Sequence, residues 1–115
     1  VGNVGFEHML YQVLIRWEFT KLGYDAHLEA KLSDKRRIDV LAIKDGHRLG
    51  VEVELNTNVD LSWKLVGIES LEQLYVVARK DILSQVKTKL GALPDKVKAD
   101  SVDQFIGKIR NLCSE

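Results

Sequence analysis

The chain has 115 residues, 45% of them hydrophobic and 30% charged, a balance that excludes disorder and fits one globular domain spanning residues 1–115. Seventeen basic and seventeen acidic side chains cancel, so bulk charge lends no support to nucleic-acid binding, and only a local basic strip would. One cysteine, Cys113, excludes a disulfide framework and a cysteine-based zinc site and fits a reducing, cytoplasmic compartment, while no apolar run nears the ~20 residues of a membrane span.

The chain begins at Val1 and its one methionine is Met9, which reads as a processed protein, a trimmed chain or a domain cut from something larger. From Phe6 to Leu22 the apolar residues Phe6, Met9, Leu10, Val13, Leu14 and Trp17 recur at helical spacing, which predicts an amphipathic helix with this stripe as its buried face and Gly23 as its stop. Tyr24 to Leu32 alternates and predicts a half-buried strand. Arg37–Lys44 and His47–Leu55 are two strand-like runs joined by Asp45-Gly46, a dipeptide suited to a tight hairpin turn. That turn sets Lys44 against His47, Ala42 against Leu49, Val40 against Val51 and Ile38 against Val53, one continuous apolar face. On the other face Asp39 lands opposite Glu52, and Glu54 opposite Arg37.

Leu61, Leu65 and Ile68 predict a helix, Leu74–Ala78 a buried strand, and Asp81–Leu90 a second helix ending in Lys87 and Lys89. Pro94 marks a turn. Lys96–Ala99 reads as a short edge strand. A last helix follows, capped by Ser101, with Val102, Phe105, Ile106, Ile109 and Leu112 as its stripe. The expected architecture is α/β, with a mixed β-sheet of four to five strands flanked by helices in the order α-β-β-β-α-β-α-β-α.

Two carboxylates facing each other across a strand pair repel by about 4 kcal/mol at 4 Å and an effective dielectric near 20. A divalent cation compensates that most directly, and Mg²⁺ takes one or two carboxylates with water and phosphate completing its shell. Asp39 opposite Glu52, with Glu54 two residues along, is therefore a metal-site pattern.

These acids, with the helix-strand-strand-strand-helix-strand order from Phe6 to Ala78, resemble the PD-(D/E)xK nuclease superfamily, most of all its archaeal Holliday-junction-resolvase-like and restriction-endonuclease-like branch. The resemblance implies a restriction-endonuclease-like core and a metal-dependent endodeoxyribonuclease. Asp39 and Glu52 would bind Mg²⁺ (or Mn²⁺), with Glu7 completing the shell, and the ion would activate water and offset charge on the phosphodiester. Where the family usually has lysine this chain has Glu54. A minority of restriction endonucleases carry glutamate there, and other members move the lysine to the following helix, where Lys64 is the candidate. Alternatively Arg37 neutralises Glu54 and the site is dead. By the same analogy a homodimer would address two DNA strands.

Lys35, Arg36, Arg37 and Arg48, with Lys31 and Lys44 nearby, are the residues expected to contact phosphates of duplex or branched DNA; the rival reading is an ordinary charged surface. His8, His27 and His47 read as surface histidines, Trp17 and Trp63 as core, and Cys113 as a small buried group. A different class of function stays open beside the nuclease. It is a non-catalytic DNA-binding or assembly module of a larger protein, which the missing lysine and zero net charge favour. A protein-binding domain without any nucleic-acid role is the third reading.

Overall fold

The computed structural model describes residues 2–33, 36–57 and 62–112. Helix α1 (Gly2–Lys21) leads through Gly23, at φ 89°, into strand β1 (Asp25–Ser33). β2 (Arg36–Lys44) and β3 (His47–Glu54) form the hairpin across Asp45-Gly46, both residues at positive φ. β4 (Gln73–Ala78), α2 (Leu83–Leu90), β5 (Val97–Ser101) and α3 (Val102–Leu112) complete the order. The five strands lie in chain order in one mixed sheet, β1, β2 and β3 antiparallel and β3, β4 and β5 parallel. Among the described residues no helix is long and apolar enough to cross a membrane.

The sheet is covered on both faces. Ile15 and Phe19 of α1 and Phe105, Ile106 and Ile109 of α3 pack on Val40, Ala42, Val51, Val53 and Val77. Val86 and Leu90 of α2, with Ile68 and Leu71, cover Ile38, Leu41, Leu74, Val76 and Ala78. β4 is thus apolar on both sides, as a central strand with parallel neighbours must be. Gly50 lies under the second layer, where a Cβ would sit 2.3 Å from Ile38 Cδ1 and 2.7 Å from Leu71 Cδ1. A larger residue there would have to displace those two side-chain ends. Ser101 caps α3 as expected, its hydroxyl accepting the Gln104 N–H at 3.2 Å.

Three expectations are corrected. Among the described residues between β3 and β4 there is no α-helix but two 3₁₀ turns, Ser62–Leu65 and Ile68–Ser70, divided by Gly67 at φ 76°, while Leu61 lies outside the described residues. Arg36 donates to the Lys64 and Val66 carbonyls at 3.0 and 3.1 Å, holding that backbone in its non-helical path. The hairpin register holds from Lys44↔His47 to Val40↔Val51 but ends there, and Ile38 belongs to the opposite core from Val40. The third correction is the rotation of α1. Phe6, Met9, Leu10, Val13, Leu14 and Trp17 are 40–65% exposed, whereas Gln12, Ile15, Glu18 and Phe19 are buried. The apolar stripe expected inside faces out. Trp63's side chain and Cys113 lie outside the described residues.

Candidate active site

The site grows from the place where β2 and β3 part. Ile38 and Leu41 face one core and Val40 and Ala42 the other, so the alternation of β2 slips by one residue at Asp39–Val40. On the β1 side, Leu28↔Val40 and Ala30↔Ile38 pair while Glu29, at φ 50°, and Asp39 between them do not. Asp39 consequently turns toward α1 rather than lying on the face opposite Val40.

Beyond Val40↔Val51 the side chains take over the ladder. The Asp39 N–H donates to Glu52 Oε1 at 2.8 Å, and the Val53 N–H donates to Asp39 Oδ2 at 2.7 Å. Each acid satisfies a buried backbone donor of the other strand that the regular ladder would have bonded. The expected nearness of Asp39 and Glu52 is therefore present, but reached through crossed bonds rather than as a plain opposed pair.

Behind this crossing lies a buried ionic cluster. Lys64 Nζ is 2.9 Å from Glu52 Oε2 and 3.0 Å from Glu54 Oε2, and Arg36 Nη2 is 3.4 Å from Glu52 Oε2. Lys64 thus reaches both strand carboxylates. Arg37 does not meet Glu54 as the register predicted; its guanidinium donates to the Glu29 carbonyl at 2.9 Å. Burial pushes the Glu52 carboxyl upward and the Asp39 charge adds to it, while Lys64 and Arg36 oppose. Burial pulls Lys64 down, but Glu52 and Glu54 outweigh it, and its ammonium is held above the ordinary lysine range.

In front of the crossing, α1 closes on Asp39. Gln12 Nε2 donates to Asp39 Oδ1 at 3.1 Å and to Glu29 Oε2 at 2.6 Å, and His8 Nε2 lies 3.2 Å from Asp39 Oδ2. Burial alone would raise the Asp39 carboxyl; the His8 ring and the Val53 N–H hold it below the usual range. The hydrogen bond to Asp39 raises His8 in return, against its partial burial. The titration midpoint of the His8 ring, followed by NMR in metal-free protein, is expected above the 6.5 of a free imidazole, and Asp39→Asn returns it toward that value. A raised folded pKa means the folded state holds this proton more tightly. The stabilisation is then complete below pH 6.5 and fades as pH climbs through the folded midpoint. A His8→Gln chain should lack that fall in urea midpoint across the same interval.

One ligand atom each from His8, Glu29 and Asp39 lies within 4.8 Å of the others. Charge points the same way: Asp39, Glu52 and Glu54 stand buried against the two fixed cations Arg36 and Lys64. By formal charge these five side chains carry one more negative than positive, with His8 and Glu29 beside them. Solvent reaches the group at its front, where the His8 side chain is 29% and that of Asp39 12% exposed, against 1% for Glu52.

The other expected residues fall elsewhere. Glu7 points to Arg79, 3.7 Å away, and His8 takes the place on Asp39 that Glu7 was expected to hold. His8 is accordingly no surface histidine. Arg36 is turned inward and 3% exposed, so it cannot present itself to phosphate. Arg37 is exposed, Arg48 is half-buried, and Lys35 lies outside the described residues. His8, Gln12 and Glu29 were missed as site residues. The signal for two of them was available, since His8, Gln12, Ile15 and Phe19 form a second helical stripe, four, three and four residues apart.

No family model and no curated protein matches this chain. Among solved structures it is similar to one titled "Crystal Structure of Protein of Unknown Function AF1548", at 15% identity and a TM-score of 0.48 over 80% of this chain. The chain spans 58% of that protein's length.

Proposed function

We propose that this chain is a divalent-metal-dependent DNA endonuclease domain working in the cytoplasm, with Asp39 as its central metal ligand. The observation that carries the reading is the gathering of His8, Glu29 and Asp39 ligand atoms within 4.8 Å of one another at a partly solvent-exposed edge of the buried ionic cluster. His8 and Glu29 complete the first set of ligands. Glu52 is a backing group that fixes the Asp39 backbone through its N–H. The mixed nitrogen and oxygen donors suit Mn²⁺ better than Mg²⁺, which prefers oxygen alone. The bound ion would supply an activated water and a counter-charge for the phosphodiester. Gln12 ties Asp39 and Glu29 together, Lys64 forms ion pairs with Glu52 and Glu54 behind them, and exposed Arg37 would contact a backbone phosphate.

The test uses duplex, single-stranded and four-way-junction DNA with Mg²⁺ or Mn²⁺, together with calorimetric titration of Mn²⁺ alone. Binding of the ion and cutting are both expected, with Asp39→Asn lowering the cutting rate ~100- to 1,000-fold while the circular dichroism stays native. Neither ion binding nor cleavage by the native chain would end the proposal.

A second reading has its own support. Glu52 is only 1% exposed and sealed by Lys64 and Arg36, the form a purely structural polar core would take. A non-catalytic DNA-binding or assembly module follows from it. DNA binding indifferent to metal and to Asp39→Asn, without cutting, would select that reading.

A further inference from the structure

The outer face of α1 is unlike the rest of the surface. A surface helix ordinarily turns one apolar stripe inward and a polar face outward. α1 buries Ile15 and Phe19, yet on its other side Phe6, Met9, Leu10, Val13, Leu14 and Trp17 are 65, 58, 53, 48, 40 and 59% exposed. At 100° per residue these six share an arc of about 140° along three turns of helix. They offer roughly 600 Å² of contiguous apolar side chain, the upper end of the largest patch on a typical monomer. The patch is a convex ridge on one helix. A protein partner would need a groove cut to its shape, whereas acyl chains deform around a ridge.

The charges beside the ridge point to what covers it. Arg16 flanks the stripe and is exposed, Lys21 closes its C-terminal end with 44% of its side chain exposed, and Arg110 of α3 lies alongside at 64%. The acid between the last two, Glu18, is 3% exposed, 3.3 Å from Lys21 and 3.0 Å from Arg110. At the other end Glu7 lies 3.7 Å from Arg79. The ridge therefore runs from a paired end at Phe6 to a cationic end at Trp17. We propose that α1 lies flat on an anionic lipid surface, its stripe sunk to the boundary of headgroups and acyl chains, with Arg16, Lys21 and Arg110 against lipid phosphates. The Trp17 ring suits that depth, with an apolar body and an N–H for the wet side. Lys21, its ammonium 5.9 Å from the centre of that ring, carries its charge from the ring edge to the headgroups. The helix lies on the membrane rather than across it, since no described helix is long and apolar enough to span. The inference is independent of the metal reading. His8 and Gln12 project from the opposite side of α1 toward Asp39, so docking leaves that site facing away from the lipid.

The experiment is co-sedimentation of the 115-residue chain with vesicles of phosphatidylcholine alone and of phosphatidylcholine mixed equally with phosphatidylglycerol. The native chain is expected to pellet with the anionic vesicles, and less so as salt rises. Arg16→Gln and Lys21→Gln together should weaken that binding about thirtyfold. Val13→Asp should abolish it with unchanged helical dichroism. In a Trp63→Phe chain, where Trp17 is the remaining indole, emission should move to the blue on binding and be quenched by brominated acyl chains. The charge changes and the quenching leave the apolar stripe untouched, so they still decide the matter should Val13→Asp misfold. A native chain that stays in the supernatant with both vesicles would overturn the proposal. So would equal binding to phosphatidylcholine alone, or binding that leaves Trp17 unquenched. A Trp17 emission already blue without lipid, because another protein or a second copy covers the stripe, would overturn it too.

Discussion

Replacing Lys64 by methionine is expected to destabilise the protein by about 3–5 kcal/mol, the usual cost of stranding buried charge by removing one partner. Lys64 is 8% exposed and bridges Glu52 and Glu54, so its loss leaves Arg36 alone against two buried carboxylates with Asp39 adjacent. The deficit has a definite pH dependence. Glu52 is already held above the ordinary carboxylate range by burial and by Asp39, and losing Lys64 raises it further. A raised folded carboxyl pKa means that the folded state binds more protons than the unfolded one. The variant therefore gains relative stability as pH falls toward the ordinary carboxylate range and loses it as pH rises through the folded midpoint. Urea denaturation of native and Lys64→Met chains between pH 4.5 and 8 measures this, the gap being widest at the alkaline end. Adding Glu54→Gln to Lys64→Met should recover part of the loss by removing one unpaired charge. A Lys64→Met chain as stable as the native one at pH 8 would mean the cluster is open to water.

The second large effect concerns which side of α1 is the inside. Phe19→Ala should cost about 3–5 kcal/mol, as truncation of a fully enclosed aromatic does. Phe19 is 0% exposed and meets Tyr24 and Phe105 edge-on at ring-centre distances of 5.1 and 6.1 Å. Trp17→Ala, two residues away, removes a larger ring but should change the stability of dilute protein by no more than about 0.5 kcal/mol. That indole is 59% exposed, with the Lys21 ammonium over its ring at 5.9 Å. Thermal denaturation of the two variants side by side reads the difference. A reversed order, with Trp17 the costly position, would place the sequence-predicted stripe back in the core.

What could be read from the residues divides along physical lines. The sheet, its hairpin and the pairing of Val40 with Val51 follow from Asp45-Gly46 and from period-two alternation, both local signals. The resemblance singles out Lys64 as the candidate for a lysine moved to the following helix; it stands in a 3₁₀ turn, where its ammonium pairs with Glu52 and Glu54. The turn of Asp39 toward α1 was not legible. It depends on the left-handed Glu29 across the strand and on Glu52 reaching back to the Asp39 N–H, neither of which leaves a periodic trace. α1 misled for a different reason. It carries two stripes, and the more hydrophobic one was assigned to the core, a rule that fails when the apolar face belongs to a surface rather than an interior.

The crossed bonds at the fork carry a consequence for how this sequence can change over generations. Because each acid holds the amide of the opposing strand, neither Asp39 nor Glu52 can drift alone without orphaning a main-chain donor inside the protein. A lineage that abandoned whatever chemistry the pair performs would still inherit the pair, since the strands need it to stay joined where they diverge. Its two acids would survive as architecture.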